Sequence, residues 1–217
     1  MNHRFRAAFT LVEMLIVISI IATLAAMTAV ATKTITEKRT IKLVEAQMRQ
    51  VELAILDYKT KFGFFPPDNG NQLTTNWTAF PPLFYELTGV VPVPASGIYR
   101  SVLGNEVVSR TTLAGFFGRE GLANSTDENR KNFFTSMLPL NYREIPDRKT
   151  GYGAVKLLVA PAKGPDIFGP DPDVKDVNPW RYNSTSPTNN PGSFDLWAEI
   201  TFQNKTVVVG NWKRRQR

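Results

Sequence analysis

No glycine or proline occurs before residue 63, and all 14 glycines and all 15 prolines of this 217-residue chain fall after residue 62. A stretch without either has nothing in it to stop a helix once one has started. Residues 9–62 therefore predict one continuous helix, roughly 80 Å long at 1.5 Å per residue. Gly63 ends it, and Pro66-Pro67 keep it from resuming.

The two halves of that helix differ in chemistry. Residues 9–32 are 24 positions with one charge, Glu13, and are long enough to span a bilayer. Arg4 and Arg6 precede them, so the positive-inside rule places the N-terminus in the cytoplasm and residues 33–217 on the outer side of the membrane. Farther on, Ile41, Val44, Met48, Val51, Ile55, Tyr58 and Phe62 recur at steps of three and four, which puts them on one face. Lys42, Glu45, Arg49, Glu52, Lys59 and Lys61 fall elsewhere on the wheel. The stripe is nearly heptad in period, so coiled-coil pairing competes with packing on the chain's own sheet. Three heptads followed at once by a globular region favour the sheet.

Beyond the helix, residues 63–150 read as turn-rich and irregular. A short helix is expected over residues 82–87, stopped by Gly89. A second is expected to start at Ser125 or Thr126, run through Phe133, Phe134, Met137 and Leu138, and stop at Pro139. Residues 164–172 read as an exposed loop. Strand signals gather over residues 154–159, 180–183, 193–202 and 205–209, with Gln203-Asn204 as a tight hairpin between the last two. The class is α+β, with the long helix packed on a small antiparallel sheet.

Several function classes drop out on composition. There is no cysteine and one histidine, His3, so thiolate chemistry, histidine-based zinc centres and Ser-His-Asp sites have no material. The net charge is +7, with 26 basic and 19 acidic residues. Six of the basic residues are Arg4, Arg6, Lys213, Arg214, Arg215 and Arg217, and without them the count is 20 against 19. That leaves a nearly neutral body, not the broad basic face of a dedicated nucleic-acid binder. The body's carboxylates Asp127, Glu128, Glu144 and Asp147 show no spacing that pairs two of them on one element, and the chain is expected not to be an enzyme.

Glu13 is the most informative residue. A carboxylate inside an apolar span costs about 2.5–3.5 kcal/mol and is normally paired or protonated. Its surroundings, Ala8-Phe9-Thr10-Leu11-Val12-Glu13-Met14-Leu15-Ile16-Val17-Ile18, closely resemble the signal of type IV pilins and type II secretion pseudopilins. The resemblance implies a leader, residues 1–8, cut off by a prepilin peptidase between Ala8 and Phe9. It implies N-methylation of the new terminus at Phe9, and Glu13 as the fifth mature residue, the one that serves assembly. Ala8 stands where the family normally has Gly. The resemblance further implies a pilin-like fold, a filament-core helix over 9–32, and a globular domain over 33–217. The implied partners are further copies of the chain and other pseudopilins or pilins, with an inner-membrane assembly platform. No small-molecule substrate is implied.

Within that family the C-terminal third is more similar to major pseudopilins of type II secretion. Asn178-Pro179-Trp180-Arg181-Tyr182-Asn183, Pro191-Gly192-Ser193-Phe194-Asp195-Leu196-Trp197 and Gly210-Asn211-Trp212 resemble their closing segments, and Tyr58, Gly63 and Pro66-Pro67 match their helix end. No Cys pair closes a C-terminal loop. Major pseudopilins bind calcium in an acidic loop between the last strands. Between Trp197 and Val207 this chain has only Glu199, too few oxygen ligands, so no cofactor is expected. Asp171, Asp173 and Asp176 form a second acidic group, in a Pro-rich loop. Asn76, Asn124, Asn183 and Asn204 head glycosylation triplets. Three other readings compete. One is a pilus for adhesion, motility or DNA uptake, with residues 213–217 gripping the nucleic acid. Another is a soluble protein released after Ala31. The third is a membrane-anchored or secreted enzyme with an unrecognised site.

Overall fold

The computed structural model describes residues 10–69, 80–103, 107–126, 130–134, 142–146, 153–169, 172–203 and 205–212; the side chains of residues 28–33 also lie outside that set. The chain divides into two compact units, Met1–Thr40 and Ile41–Arg217. The expected helix is one element, α1, Leu11–Phe62.

In the first unit every described side chain of residues 10–27 is exposed. The hydroxyls within this apolar stretch satisfy themselves locally. Ser19 Oγ donates to Leu15 O at 2.7 Å and Thr23 Oγ1 to Ser19 O at 2.8 Å. Bonding back by one turn is how a hydroxyl is carried on an apolar helix at little cost.

In the second unit α1 is amphipathic as its periodicity requires. Val44, Val51, Ile55 and Tyr58 are at most 2% exposed, Met48 is buried, and Ile41 and Phe62 pack at the margin. These residues share one buried cluster with Leu83, Phe84, Leu196, Ala198 and Ile200, so the body itself covers the stripe and leaves it no coiled-coil partner to seek. Each large side chain removed from water contributes about 1.5–3 kcal/mol. The helix stops at Gly63, where φ is +83° and the N–H donates to Lys59 O at 2.8 Å, the left-handed cap that glycine takes without strain.

Among the described residues the body holds three small antiparallel sheets where one was expected. The first joins β1 (Val90–Val93), β2 (Ile98–Ser101) and β3 (Val107–Ser109). The second pairs β4 (Tyr142–Ile145) with β5 (Val155–Leu158). The third runs β6 (Arg181–Asn183), β7 (Asp195–Phe202), β8 (Lys205–Gly210), with Phe202 paired to Lys205; Asn204 of the expected turn lies outside the described residues. The added strands are three or four residues long, and β1 contains a proline, so none announces itself by alternation.

Helices between the sheets depart from expectation in part. α2 (Leu83–Thr88) forms one residue later than expected and ends at Gly89. α3 (Arg110–Phe117) was not foreseen, although Ser109 caps it by accepting from Thr112 N–H at 2.9 Å and Gly118 ends it in the left-handed region. The helix expected from Ser125 does not form over residues 130–134. Arg130 N–H donates to Thr126 O, but Phe133 N–H goes to Leu87 O; residues 127–129 lie outside the described residues. Met137, Leu138 and Pro139 lie outside the described residues. The loop that begins at Gly164 is anchored and only partly exposed. Ile167 and Phe168 pack against the core, Phe168 lies 5.7 Å from Phe80, and a Cβ on Gly164 would sit 2.7 Å from Asn178. Asn124, head of one glycosylation triplet, is fully buried.

Candidate functional site: the start of the long helix

The first turn of α1 is built by two side chains. Thr10 N–H and Thr10 Oγ1–H donate to Glu13 Oε2 at 2.9 and 2.8 Å, while Glu13 N–H donates to Thr10 Oγ1 at 3.2 Å. This is a capping box, in which N-cap and N3 residues satisfy each other's otherwise orphaned donors. It also sets the carboxylate at the positive end of the helix dipole. The Thr-x-x-Glu spacing was legible in the sequence, and Thr10 was not singled out there. Ala8 and Phe9 lie outside the described residues.

Beyond this turn, residues 14–27 present a mostly apolar surface. Leu11 is 80% exposed, and Leu15, Ile16, Ile18, Ile20, Ile21 and Leu24 are all more than half exposed. Such a surface calls for a partner: lipid, another helix, or each in turn. Among the described residues no helix is long and apolar enough to cross a membrane. The described side chains of this half cover residues 11–27, about 26 Å of helix, against a hydrocarbon thickness of about 30 Å. The expected span of 9–32 reaches past them at both ends.

The body's buried carboxylates are each engaged by backbone donors. Glu86, with no exposure, accepts from Tyr58 Oη at 2.9 Å, Ala123 N–H at 2.9 Å and Asn124 N–H at 3.0 Å. Burial pushes its carboxyl above the usual range, against the pull of those donors and of the Arg119 charge. Asp68 accepts from the backbone of Ser184 and Thr185, at 3.0 and 2.8 Å, and from Thr185 Oγ1 at 2.8 Å. Asp195 takes the N–H groups of Thr188, Asn189 and Asn190 at 2.8–2.9 Å. Both oxygens of each of these carboxylates are thereby engaged in holding the fold.

Of the carboxylates considered for catalysis, one lies among the described residues. Glu144 is exposed on β4 opposite Lys156, while Asp127, Glu128 and Asp147 lie outside the described residues. A groove of about 480 Å³ lined by Arg49, Glu52, Leu53, Leu56, Phe194 and Asn211 contains one carboxylate. So does one of about 590 Å³ between Glu45, β8 and Trp212.

The C-terminal segments noted in the sequence meet in one place. Asn211 Oδ1 accepts from Leu196 N–H and Asn190 Nδ2, each at 3.0 Å, and its own amide donates to Phe194 O at 3.1 Å. Trp212 and Trp197 lie with ring centroids 6.0 Å apart, and the Trp212 ring fills the space where a Cβ on residue 210 would stand. Glu199 faces Arg181 at 2.9 Å, and Asp176 pairs with Lys163 at 2.6 Å. Asp171 lies outside the described residues.

Residues 3–29 match the family model described as the prokaryotic N-terminal methylation motif. The chain carries a prepilin-type signal. This signal supports a type IV pilin-like or pseudopilin protein, a structural rather than enzymatic family, with a membrane-anchored N-terminus, processing by prepilin peptidase and assembly into pilin-type polymers. Ala8, Phe9, Thr10 and Glu13 all fall inside the matched stretch. No curated protein and no solved structure matches the chain.

Proposed function

We propose that this chain is the precursor of a structural subunit of a type II secretion pseudopilus or a closely related type IV filament. The observation that carries the reading is the methylation motif over residues 3–29, with Glu13 at the fifth place after the expected cut. Prepilin peptidase cleaves between Ala8 and Phe9 on the cytoplasmic side, and Phe9 is N-methylated. Residues 9–32 hold the subunit in the inner membrane with residues 33–217 outside. During assembly the apolar half-helices leave the lipid and bury one another.

Glu13 sets the register of that assembly. Cleavage creates a positive amine at Phe9, and the Glu13 carboxylate of an adjacent subunit neutralises it, which offsets part of the cost of burying both charges. The capping box supports this role. Thr10 holds the carboxylate at the helix start before a neighbour arrives, so the group is positioned rather than searching. The secretion branch is favoured by the closing segments knitted together through Asn211 and Asp195. The reading includes no calcium site: Glu199 is the one carboxylate between Trp197 and Val207 in the sequence, and Arg181 engages it.

The test is the mass of the N-terminal peptide from native membranes. A chain that begins at N-methyl-Phe9 is expected. One that begins at Thr32 or retains Met1 overturns the reading. Glu13→Ala is expected to be processed yet to form no filaments, and normal filaments from that variant remove Glu13 from assembly.

A further inference from the structure

Pairing with β7 fixes which backbone groups of β8 face outward. Asn211 N–H donates to Leu196 O at 3.0 Å, and the register continues as Ala198↔Val209 and Ile200↔Val207. Alternation along an antiparallel pair therefore bonds Val207 and Val209 to β7, and turns the N–H and C=O groups of Thr206 and Gly210 away from it. Among the described residues no further strand pairs with β8. Residues 206–210 contain no proline and no charge. Folded proteins cover or blunt such an edge, because it can otherwise pair with another chain.

Beside this edge runs the groove of about 590 Å³ lined by Glu45, residues 206–210 and Trp212. Glu45 is partly buried, and among the described residues no lysine or arginine stands at salt-bridge distance from it. A carboxylate and an indole in one groove suit a basic side chain, through charge-assisted hydrogen bonding and cation–π contact. Phosphate, from lipid or nucleic acid, would meet the carboxylate as a like charge. The chain supplies a fitting segment of its own. Lys213, Arg214, Arg215 and Arg217 follow directly on Trp212 and lie outside the described residues. Five extended residues reach about 16 Å, and Gly210 to Thr206 is about 13 Å of strand. We propose that residues 213–217 turn back along the outer edge of β8 and set a basic side chain on Glu45, which closes the sheet against other chains. The contact is made within one subunit and does not depend on filament formation.

Amide hydrogen exchange at Thr206 and Gly210 tests this, read by NMR on the full chain in detergent and on the chain lacking residues 213–217. Deletion should speed exchange at both amides about fivefold. Val207 and Val209, bonded to β7, should keep their rates and so report an intact sheet. Glu45→Lys in the full chain should give the same increase at Thr206 and Gly210. Adding Lys213→Glu, Arg214→Glu, Arg215→Glu and Arg217→Glu to that variant should restore the parent rates. Equal rates with and without the tail overturn the proposal, as does a Glu45→Lys chain that exchanges like the parent. Protection that survives the deletion and rises with protein concentration overturns it in favour of a second copy on the edge. Protection that appears only when oligothymidylate or phosphatidylglycerol bicelles are added overturns it in favour of phosphate.

Discussion

At the residue scale, two carboxylates with opposite surroundings carry most of what can be tested. Glu13 is exposed and, among the described residues, is held by Thr10, so Thr10→Val should remove the cap while keeping the shape. The expected cost is about 1 kcal/mol at the helix start, seen as roughly fivefold faster amide exchange over the first turn. Glu86 is the reverse case, buried with three donors and pushed up by desolvation. A carboxyl raised in the folded state binds its proton more tightly there than in the unfolded chain. Its contribution is therefore full below the unfolded value of about 4.3 and is lost as pH rises through the higher folded value. Glu86→Gln should flatten that part of the stability profile in pH-dependent urea melts. Glu86→Ala should cost about 3 kcal/mol or more, because Tyr58 Oη and two backbone N–H groups lose their acceptor. Nothing in the local sequence marks Glu86 as buried. It stands in a six-residue helix that buries every side chain, and its donors come from residues 58, 123 and 124.

At the element scale, α1 shows how one helix serves two purposes. Its inward positions over the body are legible because period 3.6 separates them cleanly from Leu43, Leu53 and Leu56, which remain exposed. Ile55→Ala should cost about 2–5 kcal/mol in denaturant unfolding, whereas Leu53→Ala, two residues away, should change stability by about 0.5 kcal/mol at most. The β6–β7–β8 sheet was also legible, since β-branched and aromatic residues flank a two-residue turn. Its glycine at 210 matters for a reason the sequence conceals. A methyl group there would stand 2.6 Å from the Trp212 ring. Gly210→Ala should displace that indole, cost about 1–3 kcal/mol, and be visible as a changed near-ultraviolet tryptophan signal.

At the scale of the whole molecule, the body is a set of small sheets tied by buried polar groups. Pro66 O accepts from Tyr182 Oη and Ser184 Oγ, both at 3.0 Å, and Asp68 takes the next two N–H groups. The exit from α1 is thereby joined to the strand that follows Trp180. Calcium or a chelator added in excess should leave the melting temperature unchanged, whereas a stabilising shift with calcium would show a site that this reading lacks.

The sequence by itself determined the long helix, its two chemistries, its stop at Gly63, the final hairpin and the prepilin-type signal. Each of these follows from residues close together in the chain: spacing, the absence of helix breakers, or a contiguous motif. Only the tertiary structure decided the three-sheet body, the helix at Arg110–Phe117, the failure of a helix over residues 130–134, and the burial of Glu86 and Asn124. These depend on partners far apart in the chain. Phe133 N–H leaves its own turn for Leu87 O, and Asn124 bonds both Glu86 O and Lys131 O at 2.7 Å. A local pattern cannot encode such choices, because the bond that wins is set by which distant groups the fold brings within reach.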